Sequence, residues 1–228
     1  MINAQLHAAA KFGEDIHARK SNLYTLQFCI PLYTPSIWAL VYSRAQDRIS
    51  NEFPELSALM IAMRTTPGEE DLEGVQKEID SIVGEFKKAN VSHCKIDIPF
   101  RPTVEEILGK LESYGIIHFA FHGISAPNPA DSHLVLSKSF TTPFLGGVYI
   151  EEADKLSVRD IAAKRLHSGR LAFLSACRTA HNKAEDLADE TIHMASSFQI
   201  AGFSHVIGTL WPAQDGACVI IAVSFIVS

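Results

Sequence analysis

What this sequence lacks narrows it before any motif is read. It has only four cysteines, Cys29, Cys94, Cys177 and Cys218, and no two of them form a C-x-x-C. No apolar stretch follows the opening residues MINAQLHAAAKFGEDIHARK, as one would in a secretory leader. Both absences argue for free thiols in a reducing compartment, so the expected location is cytoplasmic. The longest apolar run, Ala217 to Val227, has 11 residues with a serine inside it. A membrane-crossing helix needs roughly 20, so no membrane partner is expected. Basic residues are in the minority, 20 Lys+Arg against 26 Asp+Glu for a formal charge of -6, and no nucleic-acid partner is expected either. Also missing are the G-x-S-x-G nucleophile elbow, the phosphate-binding G-x-x-x-x-G-K-[ST] and the dinucleotide fingerprint G-x-G-x-x-G. Serine-hydrolase and nucleotide chemistry therefore have no support, and no cofactor is expected.

What is present is an ordinary globular composition, 228 residues with 47% hydrophobic and 20% charged, enough for one domain with a sizeable core. From about residue 55, short apolar runs alternate with helical patterns. That alternation marks an α/β fold with a mostly parallel sheet. Strands are expected over Leu56–Met63, Val91–Ile98, Ile116–Phe121, Arg170–Ala176 and His205–Trp211, the last broken by Pro212. Between them, Leu72, Val75, Ile79, Ile82, Val83 and Phe86 form one helical stripe. Thr103 with Glu106 makes a capping box, and Ser157 with Asp160 caps a helix running to about His167. A further helix over 189–201 is closed by Gly202. The first 50 residues fit less well: 23–33 reads as one strand, and Thr34-Pro35 opens a helix with Ile37, Leu40 and Val41 on its face. Trp38 and Trp211 are expected as core or rim aromatics, and GEEDLEG at 68–74 as a solvated loop and helix start.

Two strand ends carry reactive side chains. Ligands bind beyond the carboxyl ends of parallel strands, and His122 and Cys177 both stand there, 55 residues apart with a hairpin and a βα unit between. A histidine within reach of a thiol can take its proton and later supply one to a leaving amine. Gly123, directly after the histidine, lets backbone approach a substrate carbonyl, and its N–H with that of Cys177 could form an oxyanion hole. His118 and His122 share one strand face but have no third partner at metal-ligand spacing, so no metal is expected.

The segments HFAFHG (118–123), LAFLSACRTA (171–180) and LADETIHMASSFQIAGFSHVIGTLWPAQD (187–215) resemble the CHAT domain. LHAAA (6–10), YTPSIWAL (33–40) and AMRTTPGEEDLEGVQKEI (62–79) resemble it more weakly, and the wording is most similar to fungal versions. The family consists of caspase-like cysteine peptidases commonly fused to tetratricopeptide repeats. The resemblance implies a caspase-like α/β fold, with helices on both faces of a mostly parallel sheet. It implies His122 as general base and acid, Cys177 as nucleophile, and Gly123 in the oxyanion hole. Ser175, two residues before the thiol, and Asp215, at the end of GTLWPAQD, would line the substrate pocket. An aspartate there would favour a substrate arginine or lysine through charge-assisted hydrogen bonds. Asp215 can equally be read as a helix cap.

The resemblance implies a protein or peptide substrate, and a tetratricopeptide-repeat partner or fusion region. Family members carry more chain before LHAAA and a longer helix after LWPAQD, so residues 1–228 are expected as one CHAT domain trimmed at both ends. Two functions follow: a cysteine endopeptidase cleaving after Arg or Lys, or a non-catalytic interaction or switch module beside repeat domains.

Overall fold

A computed structural model describes residues 10–11, 23–24, 36–50, 57–88, 94–124, 126, 128–142, 148–167, 169–175 and 194–208. The chain divides into two units, residues 1–34 and 35–228. In the first, β1 (Ala10–Lys11) and β2 (Leu23–Tyr24) pair antiparallel. The rest of the strand expected over 23–33, and the Thr34-Pro35 helix start, lie outside the described residues.

The second unit is built on five parallel strands in the order β10-β9-β5-β3-β4. They are β3 (Ser57–Ala62), β4 (Lys95–Asp97), β5 (Ile116–Ala120), β9 (Leu171–Leu174) and β10 (His205–Gly208). β5 is central and buried throughout, which is why its sequence is an unbroken IIHFA rather than an alternation. The register sets Met60 opposite His118 and His118 opposite Phe173.

Strand periodicity divides the core. Leu59, Ile61, Ile117, Phe119, Ala172 and Leu174 point to one face, where α3 (Val104–Lys110), α4 (Val158–Ala162) and a helix over 194–201, here α5, cover them with Ile107, Ile161 and Phe198. Ala58, Met60, Ile116 and Phe173 point to the other face, against Ile79, Ile82 and Phe86 of α2 (Gly74–Lys88). Each fully buried Ile or Phe contributes roughly 1.5–3 kcal/mol by leaving water. The architecture is the expected α/β fold, a mostly parallel sheet with helices on both faces.

Both expected caps form. Thr103 Oγ1 accepts from the Glu106 N–H at 3.3 Å while Glu106 Oε2 accepts from the Thr103 N–H at 2.9 Å. Ser157 and Asp160 repeat the arrangement at α4. That helix is shorter than expected: it ends at Ala162, not near His167, because the Leu166 N–H leaves the helix and donates to Ala201 O at 2.7 Å. Between β5 and β9 the chain leaves the sheet. β6 (Gly123–Ile124) pairs with β7 (His133–Thr142), which forms a hairpin with β8 (Val148–Ser157). α1 (Ile37–Ser50) displays Ile37, Trp38 and Val41 to solvent, so Trp38, 83% exposed, is no core residue.

Candidate active site

His122 stands two residues past the end of β5, at the carboxyl edge of the sheet, and is buried at 2% exposure. Its Nε2 lies 2.7 Å from the carbonyl oxygen of Glu70. A carbonyl can only accept, so Nε2 carries the hydrogen, and in the neutral ring the acceptor lone pair belongs to Nδ1. The carbonyl is held by the loop joining β3 to α2. Leu72, itself buried against Val75 and Ala120, donates its N–H to Arg64 O at 2.8 Å, and Glu69 N–H donates to Thr66 O at 3.1 Å. Gly68 makes the tight turn possible with φ +85°. Arg101 ties the loop from outside, Nη2 donating to Thr65 Oγ1 at 2.9 Å and pairing with Glu151 at 3.0 Å.

Gly123 is buried beside Leu134. The Val135 N–H donates to His122 O at 2.8 Å, the bond that flanks a non-hydrogen-bonded pair in an antiparallel ladder. The N–H of Gly123 therefore points away from β7.

Ser175 lies just past β9 and is fixed twice. Its N–H donates to Phe119 O at 2.8 Å, and its hydroxyl donates to Glu78 Oε1 on α2. The same carboxylate oxygen stands 3.3 Å from Nε2 of His118, a contact whose geometry falls short of a hydrogen bond. His118 is wholly buried and stacks on Phe173 at 5.3 Å between ring centroids. Glu78 is in the middle of this trio, so Ser175 faces a carboxyl rather than an imidazole. That order is not a Ser–His–acid relay.

Of the site residues singled out from sequence, His122, Gly123 and Ser175 thus follow the carboxyl ends of the adjacent strands β5 and β9. Cys177 and Asp215 lie outside the described residues. Two groups escaped the sequence reading. The Glu70 carbonyl is a backbone atom and has no side-chain signature, while Glu78 could have been found as an acid within the Val75, Ile79, Ile82 stripe. Among the described residues no cluster of three or more His, Cys, Asp or Glu side chains could hold a metal ion. Nor is any helix of those residues long and apolar enough to cross a membrane.

A mostly parallel five-stranded sheet with helices on both faces is consistent with a caspase-like α/β fold. The chain belongs to the CHAT family: the model of the CHAT domain matches residues 14–227. That family is related to the caspase-like cysteine peptidases. No curated protein matches the chain.

Proposed function

We propose that the chain is a cysteine endopeptidase in which Cys177 attacks the substrate carbonyl and His122 serves as base and acid. His122 Nδ1 takes the thiol proton as the C–S bond forms, and the oxyanion rests on the N–H groups of Gly123 and Cys177. The tetrahedral intermediate expels the amine, which receives that proton from His122. Water, deprotonated by the same ring, then releases the acid and restores the thiol.

The observation that carries this reading is the His122 Nε2–Glu70 O hydrogen bond of 2.7 Å. It supplies the third, orienting partner that a nucleophile–base pair needs and sets the tautomer with its acceptor on Nδ1. Strand arithmetic adds support: His118 and Phe173 are register partners, and His122 and Cys177 each follow their strand's partner by four residues. The outward N–H of Gly123 suits an oxyanion. Cleavage after Arg or Lys, with Asp215 and Ser175 in the pocket, and action beside a tetratricopeptide-repeat partner in the cytoplasm belong to the same proposal and rest on the family resemblance.

The test is hydrolysis of fluorogenic peptides differing at P1, by the full chain and by Cys177→Ala. Activity with basic P1 residues that disappears in Cys177→Ala is expected. Equal background from both proteins would leave the non-catalytic module as the reading, and a basic preference that survives Asp215→Ala would remove that residue from the pocket.

A further inference from the structure

The Glu78 carboxyl meets a polar side chain from each of the two strands behind the proposed dyad. α2 packs on the sheet and brings Glu78, 5% exposed, within reach of side chains from both β5 and β9. From β9 it receives the Ser175 hydroxyl, two residues before Cys177. From β5 it is approached by His118, four residues before His122. Its position in the helix stripe, three residues after Val75 and four before Ile82, would suit a leucine. Burying a carboxyl group there is costly unless contacts compensate, and the described contacts are these two.

We propose that Glu78 is a positioning residue, a clamp that fixes the carboxyl end of β9 against β5 and so sets the approach of Cys177 to His122. This rests on the peptidase reading. Glu78 touches neither reacting atom in the proposal and acts only through Ser175 and His118. The backbone bond from the Ser175 N–H to Phe119 O fixes the height of the strand end, whereas the side-chain bond to Glu78 fixes its rotation and its distance from the helix. A displacement of about 1 Å between nucleophile and base can cost on the order of a hundredfold in rate, so a weak-looking contact at this distance has leverage. The helix end of the clamp is held independently by Val75, Ile79 and Ile82 in the core.

The experiment measures alkylation of Cys177 by iodoacetamide, read by peptide mass mapping, together with kcat and KM for a cleaved peptide. The proteins are the full chain and its His122→Ala, Ser175→Ala, Glu78→Ala and Glu78→Gln variants. Ser175→Ala removes one hydroxyl and keeps the core intact, so it carries the test even where Glu78→Ala fails to fold. Ser175→Ala is expected to slow Cys177 alkylation by about tenfold or more, a readout that needs no peptide and so is separate from the place of Ser175 in the pocket, and to lower kcat with it. Glu78→Gln, whose amide oxygen can still accept from Ser175, is expected to keep most of the rate, a rescue that loss of packing alone would not give. If Ser175→Ala and Glu78→Ala alkylate and turn over like the parent while His122→Ala is slow, the clamp is wrong and the dyad stands. If His122→Ala also matches the parent, the dyad reading fails and the clamp falls with it.

Discussion

A histidine whose Nε2–H is given to a backbone carbonyl presents its acceptor on one defined nitrogen, and His122 owes that definition to Glu70 O. The same economy appears at Asp97, where one carboxylate oxygen accepts from Lys110 Nζ at 2.5 Å and from Tyr114 Oη at 2.8 Å. The hydrogen bonds from Lys110 and Tyr114 hold the Asp97 carboxyl below its ordinary 3.8, while burial, then the bond to Asp97, pushes the Tyr114 phenol from 10.0 up to about 12. The two shifts act on opposite flanks of the stability profile. Asp97 contributes stability above its unfolded value that is lost as pH falls through the lowered one. Tyr114, with a raised value, contributes fully below pH 10 and loses its contribution as pH rises toward about 12. Tyr114→Phe is therefore expected to lower stability at neutral pH and to remove this alkaline decline, measured as urea midpoint against pH. A decline of unchanged steepness between pH 10 and 12 in the variant would contradict it.

At the scale of elements, the ends of helices carry the most local information. α5 closes in a Schellman arrangement: Phe203 N–H donates to Phe198 O at 3.0 Å, Gly202 N–H to Gln199 O at 3.1 Å, and the rings of Phe198 and Phe203 pack at 5.7 Å. Gly202 has φ +121°, and a Cβ there would lie 2.3 Å from Leu166 O. Gly202→Ala is expected to destabilise by at least about 1–3 kcal/mol from backbone strain alone, read by chemical denaturation. Gly68→Ala, also at positive φ but with nothing within 4 Å of the new Cβ, is expected to cost less, and equal losses would contradict this account. The closing glycine and both capping boxes were legible in the sequence because such signals are local. The end of α4 was not, since it is set by a bond to Ala201, distant in the chain. β3, β5 and β9 were legible as apolar runs between turn residues, whereas the exposure of Trp38 depends on which neighbours α1 meets, and composition does not hold that information.

At the scale of the molecule, strand order decides what chemistry is available. The order β10-β9-β5-β3-β4 places the histidine strand at the centre, beside the strand that leads to Cys177 and beside β3, whose loop supplies Glu70 O. Side-chain partners of the site were legible as residue types at strand ends. Glu70 O and the Glu78 clamp were not, because one is a backbone atom and the other acts from a helix whose packing only the fold reveals. The central claim is that His122 activates Cys177, and covalent labelling with an arginine-ended peptidyl chloromethyl ketone tests it most directly. The adduct is expected on Cys177 and not on Cys94, whose thiol burial pushes up, and His122→Ala is expected to slow labelling by on the order of a hundredfold. Label spread evenly over Cys29, Cys94, Cys177 and Cys218, at a rate indifferent to His122→Ala, would contradict the account.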